Sequence, residues 1–125
     1  MATVRYLVHD VAEAVDFYVD HLGFAEVERW GPAMAIIECD DLRVWLAGPM
    51  ASAAREMSDG RRPEPGGWNR MVIEVDDLDD VVERMRSGGA VFRNDPISGP
   101  GGRQVLIEDP SGNPIELFEP RLDMG

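Results

Sequence analysis

Cysteine and histidine are scarce in this chain of 125 residues, which has only Cys39, His9 and His21. A single cysteine excludes an internal disulfide framework and favours a reducing compartment, so we expect a cytoplasmic location. Cys39 lies in a predicted strand, which favours a packed thiol over a reactive one. With two histidines, the chain has few imidazole side chains that could serve as metal ligands.

Basic residues and long apolar runs are also scarce. The chain has 12 basic and 24 acidic residues, for a formal net charge of −12. Nucleic-acid binding requires a basic surface, which this composition does not provide. The N-terminus lacks the features of a signal peptide, and no apolar run approaches the roughly 20 residues that span a bilayer. We therefore expect neither nucleic acid nor membrane as a partner.

One strand–helix unit occurs twice, as VRYLVHDVAEAVDFYVDHLGF from Val4 and as MVIEVDDLDDVVERMRSGGAV from Met71. Each copy is followed by strands that end at a proline, Pro49 or Pro120. One copy is too small to bury a core, so the two are expected to pack sheet against sheet with a site between them. We predict a single domain made of module 1 (1–49), a connecting loop (50–67) and module 2 (68–120).

Both modules carry the same helix signals. Asp10 and Asp77 occupy N-cap positions, and Gly23 and Gly88-Gly89 provide the stops. Apolar residues recur at helical spacing between these signals and predict one buried face on each helix. They are Val11, Ala14, Val15, Tyr18 and Leu22 in the first helix, and Leu78, Val81, Val82 and Met85 in the second.

Alternating residues predict four strands in each module. In module 1 they lie at 3–8, 25–30, 33–39 and 42–47. In module 2 the first strand starts at residue 71, and the others lie at 91–94, 103–108 and 114–119. Residues 98–102 are glycine-rich but lack the lysine and helix of a phosphate loop, so they form a turn. The segment 50–57 is compatible with a short helix, and the connecting loop is either a linker or a lid.

Two phrases, DFYVDHLGF at 16–24 and EDPSGNPIELFEP at 108–120, resemble the vicinal oxygen chelate superfamily. This group includes glyoxalase I, extradiol dioxygenases, fosfomycin-resistance enzymes and bleomycin-resistance binding proteins. The resemblance covers nearly the whole chain and implies an α+β fold of two βαβββ modules whose cupped mixed sheets enclose a cleft. It also implies a homodimer, often with modules swapped between subunits. Because the superfamily contains enzymes and binding proteins, the residues of the cleft decide the function.

The metalloenzymes of this superfamily hold a divalent metal with residues on the first and last strands of each module. The corresponding residues here are Thr3, Trp45, Arg70 and Glu116. Trp45 cannot coordinate a metal, and the permanent charge of Arg70 repels a cation. His9 and His21 lie at a strand–helix junction and on a helix, where they do not complete the set. The resemblance therefore implies no metal, and we predict no other cofactor.

The position of Trp45 depends on strand alternation. A shift by one residue would place Val44 there instead. With Trp45 in the cleft, Val44 and Leu46 face the helix, as Ile115 and Leu117 do in module 2.

The predicted cleft has aromatic walls and few polar anchors, which is typical of a small-molecule binding site. Trp45 offers a flat surface for planar ligands, while Arg70 and Glu116 offer directional polar contacts. Trp30 and Trp68 are candidates for the rim, with ordinary core packing as the alternative. The predicted ligand-binding residues are Thr3, Trp30, Arg43, Trp45, Trp68, Arg70 and Glu116.

Three functions are compatible with this cleft. The first is a metal-free protein that sequesters an antibiotic or another aromatic natural product for self-resistance, as the bleomycin-resistance type implies. The acidic composition suits a cationic ligand, although solvated helix faces alone also explain it. The second is a glyoxalase- or dioxygenase-like enzyme with Glu116 as base or metal ligand and Arg70 stabilising an oxyanion. The third is a scaffold whose cleft is filled by side chains.

Overall fold

The structure is a computed structural model that describes residues 1–121. Within that range the chain forms two α-helices and two mixed sheets of four and five strands, which confirms the α+β class. The residues divide into two compact units. Unit 1 comprises Met1–Gly67 with Pro110–Asn113, and unit 2 comprises Trp68–Asp109 with the chain from Pro114 onward. None of the described helices is long and apolar enough to cross a membrane.

The sheet of unit 1 has the strand order β1-β4-β3-β2. Its strands are β1 (Ala2–Leu7), β2 (Ala25–Trp30), β3 (Met34–Cys39) and β4 (Leu42–Ala47). Strand β1 runs parallel to β4, and the other neighbours are antiparallel. This order places β4 and β3 at the centre, where the pairing fixes their registers on both sides.

Helix α1 spans Val11–Leu22 and has the predicted caps. The Asp10 carboxylate accepts a hydrogen bond from the Glu13 backbone N–H at 2.9 Å, and Gly23 ends the helix with a φ of 73°. Glycine adopts this left-handed conformation without steric cost. Four of the five predicted residues are buried, namely Val11, Ala14, Val15 and Tyr18. Leu22, the final residue of the helix, is only half-buried.

One face of the unit 1 sheet forms the core beneath α1. Val44 and Leu46 on β4, and Ala35 and Ile37 on β3, are fully buried. The burial of Val44 and Leu46 confirms the predicted alternation, and it directs Trp45 to the opposite face.

The sheet of unit 2 has the order β5-β9-β8-β6, with β7 paired to β8. Its strands are β5 (Met71–Glu74), β6 (Val91–Phe92), β7 (Ile97–Gly99), β8 (Gly102–Glu108) and β9 (Pro114–Pro120). Helix α2 (Leu78–Ser87) starts at Asp77, whose carboxylate accepts from the Asp80 backbone N–H at 3.1 Å. The predicted stripe, Leu78, Val81, Val82 and Met85, is buried.

Unit 2 departs from the predicted strands after α2. Strand β6 has two residues rather than four, because the Asn94 side chain accepts from the Leu106 backbone N–H at 2.9 Å in place of a ladder bond. Strand β7 was not predicted, since three residues between Pro96 and a glycine turn show no alternation. The predicted turn at 98–102 is narrower in the structure, where Pro100 and Gly101 join β7 to β8 and the other three residues lie in these strands.

The connecting loop belongs to unit 1. Only Ser52–Ala54 is helical, as one short 3₁₀ turn, so the helix considered over 50–57 is wrong. The end of the loop is fixed by Asn113, which is 5% exposed. Its side-chain oxygen accepts from the Gly66 backbone N–H at 2.8 Å, and its amide donates to the Leu7 carbonyl at 2.7 Å.

Candidate ligand-binding site

The two sheets place Trp45 and Glu116 at equivalent positions. Arg5 pairs with Trp45 between the parallel strands of unit 1, and Val72 pairs with Glu116 between those of unit 2. Trp45 therefore stands in one sheet where a carboxylate stands in the other.

Three rows of side chains cross the face of the unit 1 sheet opposite α1, and we call this surface the Trp45 face. The central row is Arg5, Trp45, Ile36 and Glu28. The rows beside it are Thr3, Arg43 and Glu38 on one side, and Leu7, Ala47, Met34 and Trp30 on the other. Directly paired residues lie on the same side of a sheet, so these side chains share one surface.

The centre of the Trp45 face is an arginine–tryptophan stack. The Arg5 guanidinium carbon lies 5.0 Å from the centroid of the Trp45 ring, within the range of a cation–π interaction. The indole is half-buried, and its Nε1 is buried with no hydrogen-bond partner among residues 1–121. A buried donor without a partner costs roughly 1–3 kcal/mol. The stack orients the ring but leaves its N–H unsatisfied.

Arg43 and Thr3, both predicted from the sequence, lie beside this stack. The Arg43 Nε donates to Glu38 at 2.8 Å, so its charge is neutralised by a neighbour on β3. Thr3 is exposed and adds a hydroxyl to the same row.

Trp30 lies at the end of β2 and is 47% exposed, which excludes the core-packing alternative for this residue within the described chain. A bulge between Glu26 and Glu28 shifts the register of β2. Because of this shift, Glu28 and Trp30 share the Trp45 face, and Glu26 does not.

In unit 2 the predicted residues Arg70 and Glu116 form a salt bridge. Arg70 Nη2 and Nε donate to the same oxygen of Glu116, Oε1, at 2.9 and 3.1 Å. Arg70 Nη1 donates to the Trp68 carbonyl at 3.2 Å. Glu116 is only 8% exposed, so this pair holds a nearly buried carboxylate.

Trp68 is 68% exposed, which again excludes core packing within the described residues. The Arg93 guanidinium carbon lies 4.5 Å from the centroid of its ring, and Arg93 Nε also donates to Glu108 at 2.8 Å. Each unit thus carries a tryptophan stacked on an arginine, but only the arginine in unit 2 is paired with a carboxylate in the described chain.

A separate cavity of about 520 Å³ lies in unit 1 at the N-terminus of α1. Its walls include His9, Arg29, Pro32, Pro49 and Met50. Its wall contains no tryptophan, tyrosine or phenylalanine, and its arginine is engaged by Glu26. The sequence did not predict it, and the Trp45 face remains the better candidate because it combines an oriented ring with unsatisfied donors.

Cys39 lies at the end of β3 and is half-buried. Burial raises the pKa of its thiol, and the neighbouring Asp40 carboxylate raises it further. A thiol with a raised pKa is a poor nucleophile near neutral pH, in line with the predicted packed role.

A family model described as the Glyoxalase/Bleomycin resistance protein/Dioxygenase superfamily matches residues 1–117. The chain belongs to this superfamily, which the sequence resemblance predicted. No curated protein gives a significant match.

Solved structures of the superfamily share the fold. A member from Sphaerobacter thermophilus is 28% identical, with a TM-score of 0.75 and 95% of each chain covered. TnmS3, an antibiotic binding protein from Streptomyces sp. CB03234, is 26% identical, with a TM-score of 0.72 and coverage of 95% of this chain and 93% of that one. A lactoylglutathione lyase from Agrobacterium tumefaciens is 22% identical, with a TM-score of 0.74 and coverage of 95% and 92%, and it supports the fold alone.

The residues do not fit the divalent metal that enzymes of the superfamily bind. The oxygen Oε1 of Glu116 is occupied by Arg70, and the equivalent position in unit 1 is Trp45, which has no lone pair for a metal. No group of three histidine, cysteine or acidic side chains in residues 1–121 could hold a metal ion. We therefore derive no chemical step through a metal.

Sequence reasoning missed Arg5 and Glu28. Arg5 lies two residues after Thr3 and therefore shares its face, so alternation alone could have identified it. Glu28 depends on the β2 bulge, which has no signal in the sequence.

Proposed function

We propose that this protein binds a planar aromatic or conjugated small molecule on the Trp45 face, without a metal. The observation that carries the proposal is the substitution of a tryptophan at the position equivalent to Glu116. An indole provides stacking area where the metalloenzymes provide a ligand atom. Its neighbours Ile36 and Met34 are half-buried and extend the apolar surface across the sheet.

We further propose that the ligand is a natural product, such as an antibiotic, and that binding sequesters it for self-resistance. The 26% identity with TnmS3, an antibiotic binding protein, supports this class of ligand.

An enzymatic role for Arg70 and Glu116 has less support. All three guanidinium nitrogens of Arg70 donate within unit 2, to Glu116 and to the Trp68 carbonyl. Using Arg70 as an oxyanion donor would divert it from a nearly buried carboxylate, which would then lose its partner. Binding requires no such rearrangement.

Equilibrium dialysis against aromatic, glycopeptide and enediyne-type antibiotics tests the proposal. The protein should retain at least one compound at a 1:1 ratio, equally with and without EDTA. After denaturation, mass spectrometry should recover that compound unchanged. Loss of binding in EDTA, or recovery of a converted product, would contradict a metal-free sequestering role, and Glu116→Gln would then test catalysis.

The assembly and location are further proposals. We propose a cytoplasmic homodimer, on the grounds of the single cysteine and the family resemblance. Light scattering should give twice the chain mass of 13.9 kDa, and a value equal to the chain mass would contradict the dimer.

A further inference from the structure

We propose that the ligand of the Trp45 face is an anion, namely a planar aromatic molecule with a carboxylate at the end that meets Arg5. This inference rests on the proposed function and adds the sign and placement of the ligand's charge. It is opposite in sign to the cationic ligand that the acidic composition suggests.

Within the described range, Arg5 has no ion-pair partner, although the chain has an excess of acids. Nine of the twelve arginines form salt bridges with acidic side chains of residues 1–121. Arg5 is exposed, stacks on Trp45, and has no carboxylate partner among residues 1–121. The chain has twice as many acidic as basic residues. The guanidinium of Arg5 nevertheless has no carboxylate partner within residues 1–121, and it lies directly on the Trp45 ring.

The polar groups at the stack are all donors. The Arg5 guanidinium has N–H groups and no acceptor, and the Trp45 indole adds an N–H that lacks a partner. A ligand that complements both must bring acceptor atoms. A carboxylate has two acceptor oxygens and forms charge-assisted bonds with a guanidinium, which are about twice as strong as neutral ones. The exposed Arg5 guanidinium is the group that such an oxygen meets first, because the indole Nε1 is buried.

The central row determines which end of the ligand carries the charge. Neighbouring strands are about 4.8 Å apart, so Arg5, Trp45 and Ile36 span roughly 10 Å, the length of two or three fused rings. Glu28 occupies the next position and is exposed without an ion-pair partner in the described chain. Its negative charge disfavours a second acid at the far end. The row therefore fits a ligand with an acid at Arg5 and a neutral or cationic group at Glu28.

The net charge of −12 repels an anionic ligand, but this repulsion acts only at long range. At physiological ionic strength exposed charges are screened over about 8 Å, whereas the ligand carboxylate would contact Arg5 directly. The attraction between the ligand carboxylate and Arg5 is therefore stronger than the screened repulsion from the distant acidic side chains.

Three matched probes test the inference, namely naphthalene-2-carboxylate, naphthalene-2-carboxamide and 2-naphthylmethylammonium, by calorimetric titration at physiological salt. The carboxylate should bind roughly tenfold tighter than the amide, and it should also bind tighter than the ammonium. Arg5→Gln should abolish the preference for the carboxylate while binding of the amide persists. Arg84→Gln, which removes an arginine paired with Asp80 on α2 and away from the Trp45 face, should leave the preference intact.

The outcomes separate this inference from the proposed function. Equal binding of all three probes, or tightest binding of the ammonium, would overturn the anionic ligand and leave an aromatic binding site in place. A preference for the carboxylate that survives in Arg5→Gln would also overturn it. Absence of binding by every probe would count against both proposals.

Discussion

At the scale of single residues, the sequence predicted candidate ligand-binding side chains but not the contacts that these side chains make with each other. Trp45, Arg70 and Glu116 followed from the family resemblance, aligned through strand alternation and the internal repeat, and the strand registers place Trp45 and Glu116 at equivalent positions. Alternation places Arg5 on the face of Thr3, but its stacking on Trp45 could not be predicted, because it depends on which residue of β1 aligns with Trp45 on β4. A parallel register between strands that are distant in sequence is set by tertiary packing.

The Arg70–Glu116 pair should be needed for stability. Arg70→Met leaves a nearly buried carboxylate without a partner, and we expect a loss of roughly 3 kcal/mol in the free energy of unfolding by urea. The double variant Arg70→Met/Glu116→Leu removes both charges and should recover most of this loss.

Arg84→Met is the matched control, because Arg84 pairs with Asp80 on the surface of α2 with both side chains 62% exposed. Arg84→Met should lower the free energy of unfolding by less than about 1 kcal/mol. Equal losses for Arg70→Met and Arg84→Met would contradict the importance of burial at Glu116.

Cys39 should react slowly. Because burial and Asp40 raise its thiol pKa above the ordinary value of 9.0, the folded protein should be alkylated by iodoacetamide more slowly than the urea-unfolded chain at pH 8. Folding favours the neutral thiol, so its stabilising effect is full below the unfolded pKa and is lost as pH rises through the folded pKa. Alkylation as fast in the folded protein as in urea would contradict this.

At the scale of elements, capped helices were predictable and short strands were not. Asp10, Asp77 and Gly23 fix helix ends through local hydrogen bonds and backbone conformation, which sequence alone specifies. Strand β7 depends on pairing with β8 across a two-residue turn and carries no pattern of its own.

Gly102 should be essential to the β8–β9 ladder. It has a φ of 150°, and an added Cβ would lie 2.1 Å from the Glu119 carbonyl oxygen. Since backbone atoms cannot move away as a flexible side chain does, Gly102→Ala should cost more than about 3 kcal/mol of stability.

The neighbouring Gly101 provides the control, because a Cβ there would meet only the Phe118 ring at an ordinary 3.7 Å. Gly101→Ala should change the thermal midpoint little. A similar loss for both variants would contradict the steric argument.

At the scale of the whole molecule, the repeat predicted the fold because two copies of one pattern constrain each other. Strand–helix–strands in both halves gave the α+β class and the family before any geometry was known. The ligand could not be predicted in the same way. The ligand that we propose depends on rows of side chains from four strands, on the β2 bulge and on ion pairs that, within residues 1–121, neutralise Arg43 but not Arg5.

The most direct test of the central claim is a tryptophan-fluorescence titration with the compound that dialysis retains. The account predicts saturable quenching near or below micromolar in the native protein and in Trp68→Phe, and loss of that quenching in Trp45→Ala. Quenching that persists unchanged in Trp45→Ala would show that the ligand binds elsewhere and would contradict the Trp45 face as the binding site.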